Sequence, residues 1–415
     1  MPAPSSEAEA WAASGAMALT GRRDGPALVA PDGVVRRVIE LGRRLHVDGP
    51  ALLGEHAATL GLARDGATSC GGSARLLPCR DGWVAVNLPR DDDRRSVAAW
   101  LELAGVDEAD PWLAIEQEVA DRSEVDLVER GELLGIPVAR VGEVEPPSRL
   151  GRLDELALLA TRTDGEPIEP APIEGLQVID LSSLWAGPLC ARLLADRGAQ
   201  VIKVESTARP DGARYGAASF YDRLHAGTRS VAVDLGTEPG RTALRALVDQ
   251  ADIVIEASRP RALRLLGIDA AGVVARGRCR VWVSITGYGR ASNRVGFGDD
   301  AAVAGGLVAG DGQGPMFVAD AVADPLTGLT AAAGVVAASA AGGRWLLDVS
   351  MAGVAADVAG ADVDVAGVDG DRSAPWTADA RLHPAPPGAP WPTGVAPGLG
   401  VDNARVAAEL GIALP

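Results

Sequence analysis

The chain has 415 residues, a formal net charge of −17, 47% hydrophobic residues and only 4% aromatic ones. That length supports two or three domains with ample core, and the acidic balance argues against non-specific binding to nucleic acid or to an anionic membrane. A local basic pocket for an anionic small molecule stays compatible with it.

The first residues, MPAPSSEAEAW, are acidic and lack the apolar run of a signal peptide. The longest apolar stretch, Leu329 to Ala341, is too short to span a bilayer. Cys70, Cys79, Cys190 and Cys279 are scattered, with no zinc or CxxC spacing. Reduced thiols and a cytoplasmic location are expected, with no metal site.

Taken in order, residues 1–65 hold a helical pattern at Val34–Leu45, with Arg36, Arg37, Arg43 and Arg44 giving it a basic, solvated face. Residues 66–145 read as a small α+β domain. Leu76–Leu88 is a hairpin with Asp81-Gly82 as its turn, helices follow at Arg94–Leu103 and Leu113–Leu134, and Leu134–Val138 steps from loop to strand. Residues 146–173 shift to Pro, Glu and Arg around one helical stretch, Leu153–Ala160, and read as a linker.

Residues 174–366 carry the clearest pattern. From Gly175 to Glu205 the sequence is GLQVIDLSSLWAGPLCARLLADRGAQVIKVE. Its Leu176–Leu181 run suits a buried strand, Ser182 and Ser183 suit a helix cap, and Leu189, Leu193 and Leu194 recur at helical spacing up to Gly198. Val201–Val204 is the next strand, so the unit is a right-handed βαβ. Strands at Val231–Leu235, Ile253–Glu256 and Arg280–Ile285 and a helix at Arg241–Val248 continue the alternation. The pattern predicts a Rossmann-like, doubly wound parallel sheet, which binds ligands at the carboxyl ends of its strands. Asp324-Pro325 starts a further helix as N-cap and first residue, Gly342-Gly343 ends it, and Trp345–Val349 is a strand. In residues 367–415, seven prolines between Pro375 and Pro397 mark an extended tail, closed by a helix at Asn403–Leu410.

The order DLS-x-x-x-AGP, a Leu-rich helix, then GA-x-VIKVE resembles the start of the family III CoA-transferases, the group of formyl-CoA transferase, carnitine CoA-transferase and α-methylacyl-CoA racemase. That resemblance implies a Rossmann-like large domain with a smaller α+β domain, an interlocked homodimer, and acyl-CoA and carboxylate substrates. In the family the large-domain βαβ precedes the small domain. Here a small domain comes first, and Ala13–Gly21 echoes Ala304–Gly310. The chain therefore resembles a truncated copy fused to a copy lacking its small domain.

The resemblance also assigns residues. Spacing alone makes Asp299 the cap of a helix over Ala301–Val303. The resemblance instead points to Asp299 as the nucleophile, with Asp300 in reserve and Gly298 as an insertion between Phe297 and the acids. A carboxylate is ionised at neutral pH and attacks a thioester without a base. For CoA, the resemblance implies Ala186 in the AGP turn, Lys203, Arg214, Arg229, and Ser258 and Arg259 in the EASRP segment. Gly287, Gly289, Gly305 and Gly306 are candidate backbone donors to a tetrahedral centre, with ordinary turns the plainer account. His225 and Thr228 depart from the family's Asn and Lys. Trp185 stands where relatives have glutamine, which favours a large apolar acyl group or a blocked site. The histidine expected of a racemase after the GYG-like loop is missing, since His46, His56, His225 and His383 lie elsewhere. Racemisation, or a non-catalytic CoA-binding or partner subunit, remain as alternatives to CoA transfer.

Overall fold

The computed structural model describes residues 6–29, 32–148, 153, 156, 158–166, 168–360, 381–390 and 392–414. The chain divides into two compact units, each assembled from separate stretches. One unit takes residues 148–292, 325–350 and 390–415, and the other takes 1–147, 293–324 and 351–389.

The first of these units is built on a seven-stranded sheet. In spatial order its strands are Leu159–Arg162, Trp345–Ser350, Val281–Thr286, Ile253–Glu256, Gln177–Asp180, Gln200–Ser206 and Arg229–Val233. Six run parallel, and the edge strand Leu159–Arg162 is antiparallel to Trp345–Ser350. The central strands are buried on both faces, as the runs VID and VIE require. From Gln177–Asp180 the chain moves one way to Arg229–Val233, then returns to Ile253–Glu256 on the other side. That reversal puts a topological switch point between strands 177–180 and 253–256.

The sheet confirms the α/β class, with several local corrections. The stretch read as a helix at Leu153–Ala160 ends in the edge strand, with part of it outside the described residues. Ser182 and Ser183 do not cap the next helix. It starts at Ala186 after Trp185, and Ser182 instead donates to Asp180 through its hydroxyl. The helix read as starting at Pro325 begins two residues earlier and spans Ala323–Ala341, so Asp324 lies in its first turn. The helix Asn403–Leu410 lies where expected, while residues 367–380 of the tail fall outside the described residues.

In the other unit, Ala74–Cys79, Gly82–Asn87 and Val138–Arg140 form an antiparallel sheet. The tight turn holds Arg80 and Asp81, one residue earlier than expected. Helices Asp91–Leu101, Trp112–Val119 and Glu124–Leu134 flank it, the long run Leu113–Leu134 being split in two. Their core includes Val84, Val86, Trp100, Ile115 and Leu127. Helix Asp32–Leu45 is not simply solvated, because Arg37 pairs with Asp357. Helix Gly298–Ala304 packs closely on Met351–Ala359, where a Cβ at Gly305 would lie 2.5 Å from Ala356 N. Among the described residues, no helix is long and apolar enough to cross a membrane.

Candidate active site

Next to the switch point of the large sheet, buried charged groups cluster at the carboxyl end of strand 177–180 and on its neighbour, strand 200–206. Lys203 is 1% exposed, and its Nζ lies 3.0 Å from Asp211 Oδ2 and 3.6 Å from Asp180 Oδ2. It also donates to the Ser182 carbonyl. Burial by itself would lower the Lys203 pKa, but Asp180 and Asp211 outweigh it and the net shift is upward. Expected as a phosphate contact, this ammonium is instead consumed inside the fold.

The other expected CoA contacts divide by exposure. Arg214 places its guanidinium fork on Glu205, at 2.6 Å, and stacks over Tyr221. Arg229 pairs with Glu409 at 2.5 Å and donates to Gln177 Oε1. Both cations are mostly spent within the unit. Arg259 is exposed just after strand 253–256, beside the half-buried Ser258, whose N–H donates to Glu256. Gly287 is buried, and its carbonyl accepts from Ser350 Oγ. Trp185 and Ala186 are buried, and the indole meets Phe220 edge-on at 5.5 Å. Trp185 thus packs inside the unit at the start of helix Ala186–Ala195.

Two of the substitutions noted in the sequence are also interior. His225 is buried and lies 4.3 Å from the Tyr221 ring. Burial, reinforced by Lys203, drives its pKa down to about 2, so the imidazole is neutral. Thr228 donates to the carbonyl of His225.

The other unit holds the carboxylates. Asp300 is fully buried and accepts from Asn87 Nδ2 at 2.8 Å and from the Phe297 N–H at 3.1 Å. It is therefore the capping acid of helix Gly298–Ala304, a role the spacing gave to Asp299. Burial raises its pKa to about 6, with the two hydrogen bonds pulling the other way. Asp299 accepts the Ala321 N–H at 3.1 Å. Burial, then the neighbouring charges of Asp320, Asp300 and Asp324, raise its pKa well above the usual carboxylate range. A raised pKa makes the attacking anion of Asp299 harder to form.

Asp324, half-buried like Asp299, lies instead in the first turn of a long helix, whose N-terminal dipole favours the anion. A Cβ at Gly298 would run into its carboxylate, so the glycine that looked like an insertion is what lets Asp324 approach. The expected donors Gly305 and Gly306 send their N–H groups to Ala301 and Val303, closing the helix. By residue type Asp324 is not distinguishable from an ordinary helix start, and its close approach to Gly298 follows from the fold rather than from any spacing.

A doubly wound parallel sheet with a topological switch point defines an α/β ligand-binding fold. Residues 173–384, just over half of the chain, match the family described as CoA-transferase family III, and the chain belongs to that family. It is 32% identical over 191 residues to the succinate–glutarate CoA-transferase of Agrobacterium fabrum, covering 41% of this chain and 48% of that one. Over 182 residues it is 30% identical to the succinyl-CoA–D-citramalate CoA-transferase of Chloroflexus aurantiacus, covering 41% and 45%. The crystal structure of a CAIB/BAIF family protein from Brucella suis is similar at a TM-score of 0.41 and 29% identity, over 46% of this chain and 56% of that one. The chain spans about half the length of the curated relatives it matches.

Proposed function

We propose that this protein moves CoA between an acyl-CoA thioester and a carboxylic acid through a covalent intermediate on an aspartate, and that Asp324 is that aspartate. Family membership supports the reaction class. The observation that carries the residue is the Asp324 carboxylate in the first turn of helix Ala323–Ala341, approached so closely by Gly298 that a Cβ there would run into its Oδ2, beside an Asp299 whose pKa burial raises. Asp299 and Asp300 then serve as its support.

In this reading the Asp324 carboxylate attacks the thioester carbonyl and expels CoA thiolate, giving a mixed anhydride. The thiolate returns to the aspartyl carbonyl and the first acid leaves. The acceptor carboxylate attacks the aspartyl-CoA thioester, and CoA moves onto the new acyl group. Arg259 and Ser258 are the expected CoA contacts with exposed surface. Short dicarboxylic acids are the substrate class suggested by the relatives, which act on succinate, glutarate and citramalate by name. A cytoplasmic homodimer belongs to the same proposal, and light scattering tests its second half.

The test is to incubate the protein with succinyl-CoA, quench with hydroxylamine and map the adduct by mass spectrometry. The adduct is expected on Asp324, retained in Asp299→Asn and lost in Asp324→Asn. An adduct on Asp299 or Asp300 would overturn the residue assignment. No adduct with any acyl-CoA in a panel would favour a binding-only relative.

A further inference from the structure

Outside the carboxylates just described, a histidine enters the same unit from a distant part of the chain. His56, on helix Glu55–Leu60, has its Nδ1 2.6 Å from Asp320 Oδ2. The Asp320 side chain is 4% exposed and that of His56 is 25% exposed. With Asp320 as the carboxylate, the hydrogen bond puts the proton on Nδ1 and turns Nε2 away from Asp320. Asp320 in turn is fixed by its backbone. Its neighbours Ala319 and Ala321 have φ of 52° and 43°, a left-handed conformation that is costly for alanine.

Three further segments hold that loop in place. The Ala319 N–H donates to Thr20 Oγ1 at 3.0 Å, and its carbonyl accepts the Cys70 thiol at 3.2 Å. The Ala321 N–H donates to Asp299 Oδ1. The Asp324 N–H donates to the Ala321 carbonyl at 2.8 Å, and a Cβ at Gly298 would touch both Asp324 Oδ2 and Ala321 Cβ, so this loop leads directly into the proposed nucleophile. Strained backbone held by several segments is a form of pre-organisation that a mere structural ion pair does not need.

We infer that His56, oriented by Asp320, carries the proton to and from the CoA sulfur during transfer. The inference rests on the reading of Asp324 above. As Asp324 Oδ bonds to the thioester carbon, the C–S bond breaks and its electron pair goes to sulfur. Nε2–H of the imidazolium gives its proton to that sulfur, leaving neutral His56 and a thiol. When the thiol attacks the anhydride, Nε2 takes the proton back, so no net proton is consumed. Asp320 is the positioning residue for both directions.

The experiment compares single-turnover formation of the Asp324 adduct from succinyl-CoA and from the 4-nitrothiophenyl thioester of succinate. The aryl thiolate is a better leaving group and departs without a proton. His56→Ala is expected to slow the reaction of succinyl-CoA by about 10²-fold, the usual scale of general acid catalysis, and that of the aryl thioester little. Added imidazole is expected to restore the succinyl-CoA rate. His56→Gln, which keeps the side-chain bulk, should show the same selectivity if the alanine variant is unstable, and thermal melting monitors folding. An equal loss with both thioesters, or no loss with succinyl-CoA, overturns the role of His56 alone. No adduct in the unaltered protein with either ester overturns the Asp324 reading, and this inference with it.

Discussion

Lys203 Nζ and Asp211 Oδ2 stand 3.0 Å apart with neither side chain more than 1% exposed, and Asp180 shares the same ammonium. The group ties three segments together: the end of strand 177–180, the middle of strand 200–206, and the turn that precedes Gly212–Tyr215. Asp211 Oδ1 also accepts the Leu184 N–H at 3.0 Å. Leu184 has φ of 69°, so the turn into helix Ala186–Ala195 is held in a conformation leucine resists.

Removing the cation would leave two buried carboxylates without compensation. Breaking a buried pair in this way costs about 3–5 kcal/mol. Lys203→Met is therefore expected to lower the urea midpoint strongly. CoA affinity of the folded fraction, measured by calorimetry, should change little, because the ammonium has almost no surface to offer a phosphate. A stable Lys203→Met protein with a large loss of CoA affinity would contradict this assignment.

Asp300 predicts a pH dependence. Its folded pKa, about 6, lies above the ordinary carboxylate value of 3.8. The folded state therefore binds more protons than the unfolded state between those two values, and stability from this group falls as pH rises through about 6. The shift corresponds to about 3 kcal/mol by neutral pH. Asp300→Asn keeps an oxygen for Asn87 and Phe297 and removes the charge. The variant is expected to melt higher than the unaltered protein at pH 7.5, with the gap closing near pH 4. Asp300→Ala loses the cap and should not show that gain.

Much of the large sheet was legible because its signals are local. The runs VID, VIKVE and VIE are short, apolar and β-branched, and each became a buried parallel strand. The DLS-x-x-x-AGP order was specific enough to point to the family that residues 173–384 match. Edge strand Leu159–Arg162 was hidden because its helical-looking residues gain their strand from pairing with Trp345–Ser350. Charge was legible as residue type but not as partner. Lys203, Arg214 and Arg229 looked like phosphate contacts, and each is paired with acids remote in sequence or out of register with it. The pairing of His56 with Asp320 spans 264 positions, beyond any spacing rule.

Trp185 separates a packing role from a substrate role. It is 6% exposed and meets Phe220 at an interplanar angle of 89°. Replacing a buried Trp by Ala costs about 3–5 kcal/mol. Trp185→Ala is expected to lose stability of that order, while Trp185→Phe keeps an edge contact and loses less. Acyl-CoA selectivity, measured as relative kcat/KM across chain lengths, should be unchanged in Trp185→Phe. A shift toward bulkier acyl groups would return Trp185 to the substrate pocket.

Gly298 offers the closest test of how Asp324 is placed. An added Cβ there would lie 2.7 Å from both Ala321 Cβ and the Ala321 carbonyl, and would reach the Asp324 carboxylate as well. Ala321 cannot yield easily, since its N–H is held by Asp299. Overpacking of this kind costs about 1–3 kcal/mol. Gly298→Ala is expected to melt lower and to form the Asp324 adduct more slowly, because the methyl group displaces the attacking oxygen. Gly71→Ala, where a Cβ meets nothing within 4 Å, serves as the control and should leave both measurements unchanged. If Gly298→Ala reacts as fast as the unaltered protein while melting lower, the tight approach supports the fold alone, and Asp324 does not depend on it for attack.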